Sequence, residues 1–179
     1  MTQELELASR FSAGEAAAFV ALYHAHKKAI YAFCFRLLGD KDSAMDGVQE
    51  VFLRAWENHR QLRDPARFRS WLFSIAHHYC LTSMRRRIPL WKGAQGTADE
   101  PAVDPADSRD EELQLLQAAL ARLQPEDREL VVLREFQQLH YQEIAAITGM
   151  TLSAVRSRLH RARHRLFDIL KKLSFTEIK

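Results

Sequence analysis

The chain has little of what most enzyme sites and several fold classes require. It has 6 glycines in 179 residues and no glycine-rich phosphate loop or Gly-x-Ser-x-Gly turn, so the common nucleotide-binding and acyl-transfer motifs are excluded. Cysteine is scarce. Cys34 and Cys80 are the two present, both in apolar helical patterns, which favours reduced, buried thiols over a disulfide framework. The histidine pairs His24/His26 and His77/His78 beside Cys80 offer metal-ligand types. Neighbouring helix positions point about 100° apart, however, and no fourth ligand is evident, so no metal centre is expected. No stretch approaches the 18 or so uninterrupted apolar residues of a membrane-spanning helix. No basic segment followed by an apolar run opens the chain. Strand alternation, internal repeats and sustained heptads are also lacking. The expectation is a soluble, cytoplasmic, all-α protein with no cofactor and no membrane insertion, and not an enzyme.

What is present is apolar content sufficient for real cores, 47%, with a net charge of only +3. The charge is unevenly placed. From Arg156 to Lys172 there are five arginines and two lysines against one aspartate, a net +6 in one segment, whereas acid dominates between Asp99 and Glu112. Such asymmetry points to one element for phosphates and another part indifferent to them or repelled.

Helical spacing of Phe19, Leu22, Ile30, Phe33 and Leu37 predicts a helix over 14–38 that Gly39 ends. Asp42 can cap a second helix running to about His59. Asp64 followed by Pro65 is a cap with proline at the first helical position, opening a third helix to about Met84. That helix is apolar on two sides and is expected to lie between neighbours. The segment Ile88–Asp110 holds three of the five prolines and little periodicity, so it reads as a flexible linker. Leu113, Leu116, Leu120 and Leu123 then resume helical spacing, and Pro125 opens another helix. The reading is two small helical domains, 1–87 and 111–179, joined by a linker over 88–110.

The second domain ends in "YQEIAAITGMTLSAVRSRLHRARHRL". Ile144, Ala145 and Ile147 supply the inner face of a short helix, Gly149 suits the left-handed residue that ends it, and Thr151 or Ser153 can cap the next. In that next helix Leu152, Val155, Leu159, Ala162 and Leu166 form one stripe. Ser153, Ser157, His160, Arg161 and His164 lie opposite, with Arg156 and Arg163 flanking one edge and Arg158 and Arg165 the other. Two helices joined by a tight glycine turn, the second cationic, make a helix-turn-helix. The candidate DNA contacts are Ser153, Arg156, Ser157, Arg158, His160 and Arg161.

Two longer stretches carry a family likeness. "DSAMDGVQEVFLRAWENHRQLRDPARFRSWLFSIAHHYCLTSMRRR" resembles the second conserved region of bacterial extracytoplasmic-function sigma factors of the sigma-70 family. "ALARLQPEDRELVVLREFQQLHYQEIAAITGMTLSAVRSRLHRARHRL" resembles their fourth. The resemblance implies a subunit that joins RNA polymerase core and directs it to promoters. The first domain would bind core and read and melt the −10 element, taking duplex to single strand. The second would read the −35 element, and an anti-sigma factor is an expected partner. Core binding is carried by the resemblance to Asp46, Gln49, Glu50 and Leu53; Leu53 lies among acids opposite Val48, Val51, Phe52 and Ala55, as a hot-spot anchor does. Relatives often carry acids where this chain has Met45 and Gly47, and a glycine there weakens the helix by about 0.5–1 kcal/mol. Melted bases need aromatic platforms and cations, for which the loop "RQLRDPARF" and its helix offer Arg63, Arg67, Phe68 and Trp71. The rival reading is a helix-turn-helix regulator whose first domain senses a ligand or dimerises.

Overall fold

The computed structural model describes residues 2–91 and 108–176. Among these, the chain forms α1 (Thr2–Ser12), α2 (Ala16–Leu38), α3 (Lys41–Glu57), α4 (Phe68–Trp91), α5 (Ser108–Ala121), α6 (Pro125–Val131), α7 (Tyr141–Thr148) and α8 (Leu152–Thr176), with no strand. Short 3-10 turns at His59–Gln61 and Pro65–Arg67 lead into α4, and a π-helical turn, Val132–Phe136, follows α6. The all-α expectation holds.

Local chemistry accounts for most boundaries. Gly39 takes φ 73° and its N–H returns to Phe35 O, closing α2. Asp40, not the expected Asp42, caps α3, its carboxylate accepting from the Ser43 N–H at 2.9 Å. The cap lies one residue beyond the left-handed glycine, so the two helices are joined with almost no loop. Asp64 accepts from the Ala66 N–H at 3.0 Å and Pro65 follows it, as expected. Helix α1 was not legible as a separate element; its buried Ala8 and Phe11, with Leu7 packed beside them, carry the helical spacing that marks it. Helix α4 passes the expected end at Met84 and reaches Trp91, and α5 begins at Ser108. The segment expected to be a linker, 88–110, thus includes the end of α4 and the start of α5, and its middle lies outside the described residues.

The first lobe wraps α1, α2 and α3 around α4. Its centre is aromatic, with Phe11 5.5 Å edge-on to Phe68 and Phe33 5.4 Å edge-on to Phe73. Cys34 and Cys80 are both buried and reduced, their sulfurs 3.8 Å apart. The apolar second face of α4 packs against α7 of the second lobe, while α2 meets α5, α6 and the π turn. The buried apolar residues form one cluster that spans both lobes. Among the described residues no helix is long and apolar enough to cross a membrane.

Gly47 has a packing role that sequence reading missed. A Cβ built there would lie 2.8 Å from Tyr79 Cε1 and 2.9 Å from Cys34 Sγ. The glycine lets α3 close on α2 and α4, and Tyr79 Oη then donates to Ser43 O at 3.1 Å. Gly47→Ala gains helix propensity of at most about 1 kcal/mol but overpacks a full core, which costs about 1–3 kcal/mol. Urea unfolding should show a net loss of stability; a more stable variant would contradict this packing account.

Candidate nucleic-acid interface

Helix α8 is held by its apolar stripe, with Val155, Leu159 and Ala162 fully buried and Leu152 and Leu166 partly so. Gly149 at φ 70° makes the turn from α7, and Thr151 caps α8, its hydroxyl accepting from the Ala154 N–H at 3.2 Å. Glu143 anchors the start of α7 by accepting from the His140 N–H at 2.8 Å. This is the expected helix-turn-helix.

The five arginines of α8 fall into two groups. Buried Asp127 of α6 accepts from Arg158 Nε at 2.7 Å and from Arg165 Nη1 at 2.5 Å. Arg158 also pairs with Glu126 at 2.7 Å, and Arg163 donates to Glu135 from Nε at 2.8 Å. The hydrogen bond to Asp127 leads the causes that raise the Arg158 pKa above its usual value. These three cations bind α8 to α6 and the π turn; Arg158, one of the expected DNA contacts, is paired here with two carboxylates. Arg156 and Arg161 make no ion pair among the described residues. They are exposed, with Ser153, Ser157 and His160 also open to solvent. Tether and free surface are thus separated on one helix. Periodicity places all five arginines off the apolar stripe but does not show where the acids of other helices stand.

A polar cleft of about 290 Å³ opens beside Arg156, lined also by Arg134, His140, Tyr141 and Gln142. Arg134 lies 5.1 Å from the Tyr141 ring centroid and donates to Leu139 O at 2.9 Å. Sequence reading named none of these side chains, because they come from the segment before α8 and meet Arg156 only through the turn.

On the first lobe, Asp46, Gln49 and Leu53 are exposed along the outer face of α3, Leu53 at 53%, opposite buried Val48, Val51, Phe52 and Ala55. Glu50 is half-buried and accepts from Arg54 Nε at 2.6 Å. Beside this face Met45, Gln49, Tyr31, Tyr23 and Lys27 line an open groove of about 300 Å³. The loop before α4 leaves Arg63 and Arg67 exposed, Arg67 3.3 Å from Asp64. Trp71 is half-buried, 6.1 Å from Phe68 between ring centroids. Phe68 is 2% exposed and packs on Phe11 and His26. It has no free ring face to stack a base, so its expected contact role does not fit; it is core.

Residues 22–88 match the model described as Sigma-70 region 2, and residues 113–166 match Sigma-70, region 4. Over 171 residues the chain is 32% identical to the ECF RNA polymerase sigma factor SigL of Mycobacterium tuberculosis, covering 92% of this chain and 96% of the relative. The chain belongs to the ECF sigma factors of the sigma-70 family. It is also 37% identical over 159 residues to the ECF RNA polymerase sigma factor SigE of Mycolicibacterium smegmatis, covering 86% of this chain but 62% of that longer relative. Its fold matches the sigma factor RpoE of Bartonella quintana, solved in complex with the anti-sigma factor NepR, at a TM-score of 0.75 and 30% identity over 86% of this chain and 96% of that one. Membership in a family of transcription initiation factors replaces the rival reading of a ligand-sensing or dimeric regulator.

In this sigma factor Asp127 sets the pose of the DNA-facing helix. It is 2% exposed and serves two arginines. Asp127→Asn should destabilise the chain by about 1–3 kcal/mol, the cost of an unmet buried polar group, as measured by urea titration. Unchanged stability would mean that the arginine tether holds nothing.

Proposed function

We propose that α8 enters the major groove of the −35 element and reads it with Arg156 and Arg161, flanked by Ser153, Ser157 and His160. The observation that carries this reading is the sorting of the arginines: three are consumed by carboxylates, and two exposed ones remain toward the N-terminal half of the helix. Groove-entering helices read bases with their N-terminal turns, and the small serines permit close approach. On the first lobe, Asp46, Gln49, Glu50 and Leu53 present the polymerase-binding face, and Arg63, Arg67 and Trp71 serve the −10 element and its melted strand. Arginines there suit phosphates, and Trp71, half-buried rather than enclosed like Phe68, serves as the aromatic platform. The working compartment is the cytoplasm, where polymerase and promoter are, and an anti-sigma factor fits as the restraining partner.

Alanine variants tested as holoenzyme on consensus and mutated upstream elements check the assignment. Arg156→Ala or Arg161→Ala should cost about 1–3 kcal/mol and relax preference at one base pair, as loss of a bidentate guanine contact does. Arg158→Ala should act on stability and leave base preference unchanged. If neither Arg156→Ala nor Arg161→Ala alters affinity or preference, α8 is not the reader.

The α3 face is tested by Leu53→Ala combined with Glu50→Lys. Core affinity should fall while circular dichroism stays unchanged, because Leu53 is exposed and Glu50 pairs only with its own helix among the described residues. Unchanged core affinity would remove this face from the interface.

A further inference from the structure

Beyond its arginines, helix α8 carries a pair of imidazoles that the reading of DNA does not account for. His160 and His164 stand four positions apart, on the side opposite the Val155–Leu159–Ala162 stripe, and both are exposed. Their ring centroids lie 4.6 Å apart, with the planes at 76°. Neither makes a hydrogen bond or ion pair among the described residues, so the ring nitrogens remain open. The histidines weighed as ligands from the sequence are mostly engaged otherwise. His77 meets Glu129, His78 Nδ1 lies 2.6 Å from Ser74 O, and His26 lies 3.0 Å from Glu4.

Positions i and i+4 of a helix bring both imidazoles to one point, the spacing by which two histidines hold zinc in helical metal motifs. A cation about 2.0–2.1 Å from one nitrogen of each ring, at an angle of about 90–109°, sets the ring centroids about 4.5–5.2 Å apart. The observed 4.6 Å lies in that interval, so the helix already holds the rings at chelating distance. Asp168 adds a second observation. It is the one acid in the basic segment from Arg156 to Lys172, yet it is exposed and makes no ion pair among the described residues. One turn beyond His164, it is spaced to accept from an imidazole N–H that a cation leaves free, the outer partner that metal-bound histidines ordinarily have. No third ligand joins the pair among the described residues, so water completes the shell.

We propose that His160 and His164 bind a divalent late transition cation, of the zinc, nickel and copper class, and that the bound cation takes α8 off the −35 element. The second half rests on the proposed reading of DNA by α8; the first half does not. Imidazole suits these ions, whereas magnesium and calcium require oxygen ligands. Half of the ligand set of a structural zinc site gives a dissociation constant on the order of 1–100 µM, and the neighbouring free Arg161 opposes a dication. Such a site is empty at low free metal and fills as the metal rises, which suits a sensor rather than a resident cofactor. A cation and its outer water extend about 4 Å beyond the ring nitrogens, more than the roughly 3 Å over which a donor reaches a base edge. His160 is then drawn from the bases, and Arg161 beside it is held back.

Calorimetric titration of Zn²⁺ into the metal-free full-length chain, in a non-coordinating buffer, should show one site per chain. Either His160→Ala or His164→Ala should weaken it about tenfold or more with helical circular dichroism retained, since both side chains are exposed. Absence of zinc binding by the parent, or a titration that neither substitution changes, would overturn the site. Holoenzyme containing the parent chain should lose upstream-element affinity about fivefold or more at saturating Zn²⁺. Holoenzyme containing His164→Ala, which lies outside the reading set, should keep its affinity at the same Zn²⁺ concentration, so that zinc acting elsewhere on polymerase is accounted for. Equal zinc responses of the two holoenzymes, or tighter DNA binding by the zinc-loaded parent, would overturn the blocking role. A metal-free parent with no preference for the upstream element would instead overturn the −35 reading, while the titration would still report on the cation site.

Discussion

The fold depends on α4 having to bury more than one face. One side meets α2 and α3 and carries Phe68, Leu72, Phe73 and Cys80 in the core of the first lobe. The other meets α7, and in the same seam His77 meets Glu129. A helix apolar on one stripe only would let the lobes separate freely. Because α4 is buried on both, the loop that precedes it, the candidate contact for melted DNA, sits near the docking surface of the second lobe. Region 2 and region 4 are therefore joined through α4, with α2 beside it against α5, α6 and the π turn.

Electrostatics then assigns the cations of α8. A helix with five unpaired arginines would repel itself and bind anions without discrimination. Asp127, Glu126 and Glu135 neutralise three of these charges by direct pairing. Exposed surface pairs are worth little on their own, but Asp127 is buried and must be satisfied, so its two arginines are fixed. The charge left over is concentrated at Arg156 and Arg161, beside small serines and the Arg134 cleft. Specific readout needs a few aimed donors rather than a diffuse positive face.

Much of this was legible in the sequence, for identifiable reasons. The Gly149 turn, the Asp64–Pro65 start and the Val155–Leu159–Ala162 stripe are set by local sterics and periodicity, which a sequence displays. The exposed Leu53 among acids is visible in the same way. Features that depend on contacts between distant segments were not. Phe68 reads as platform or core until Phe11 is placed against it. Gly47 looks like a helix defect until Tyr79 and Cys34 close on it. Arg158 reads as a DNA contact because nothing near it in sequence marks Asp127 as its partner, 31 positions away. His77, weighed as a metal ligand, is instead half of the inter-lobe pair with Glu129.

Reconstituted transcription tests the central claim most directly. Core polymerase, the full-length chain and a template carrying matched upstream and downstream elements should give a specific transcript that is absent without the chain. The transcript should be lost when either element is scrambled. Equal transcription with and without the chain, or insensitivity to the upstream element, would contradict an account in which one lobe binds polymerase and the other reads promoter DNA through α8.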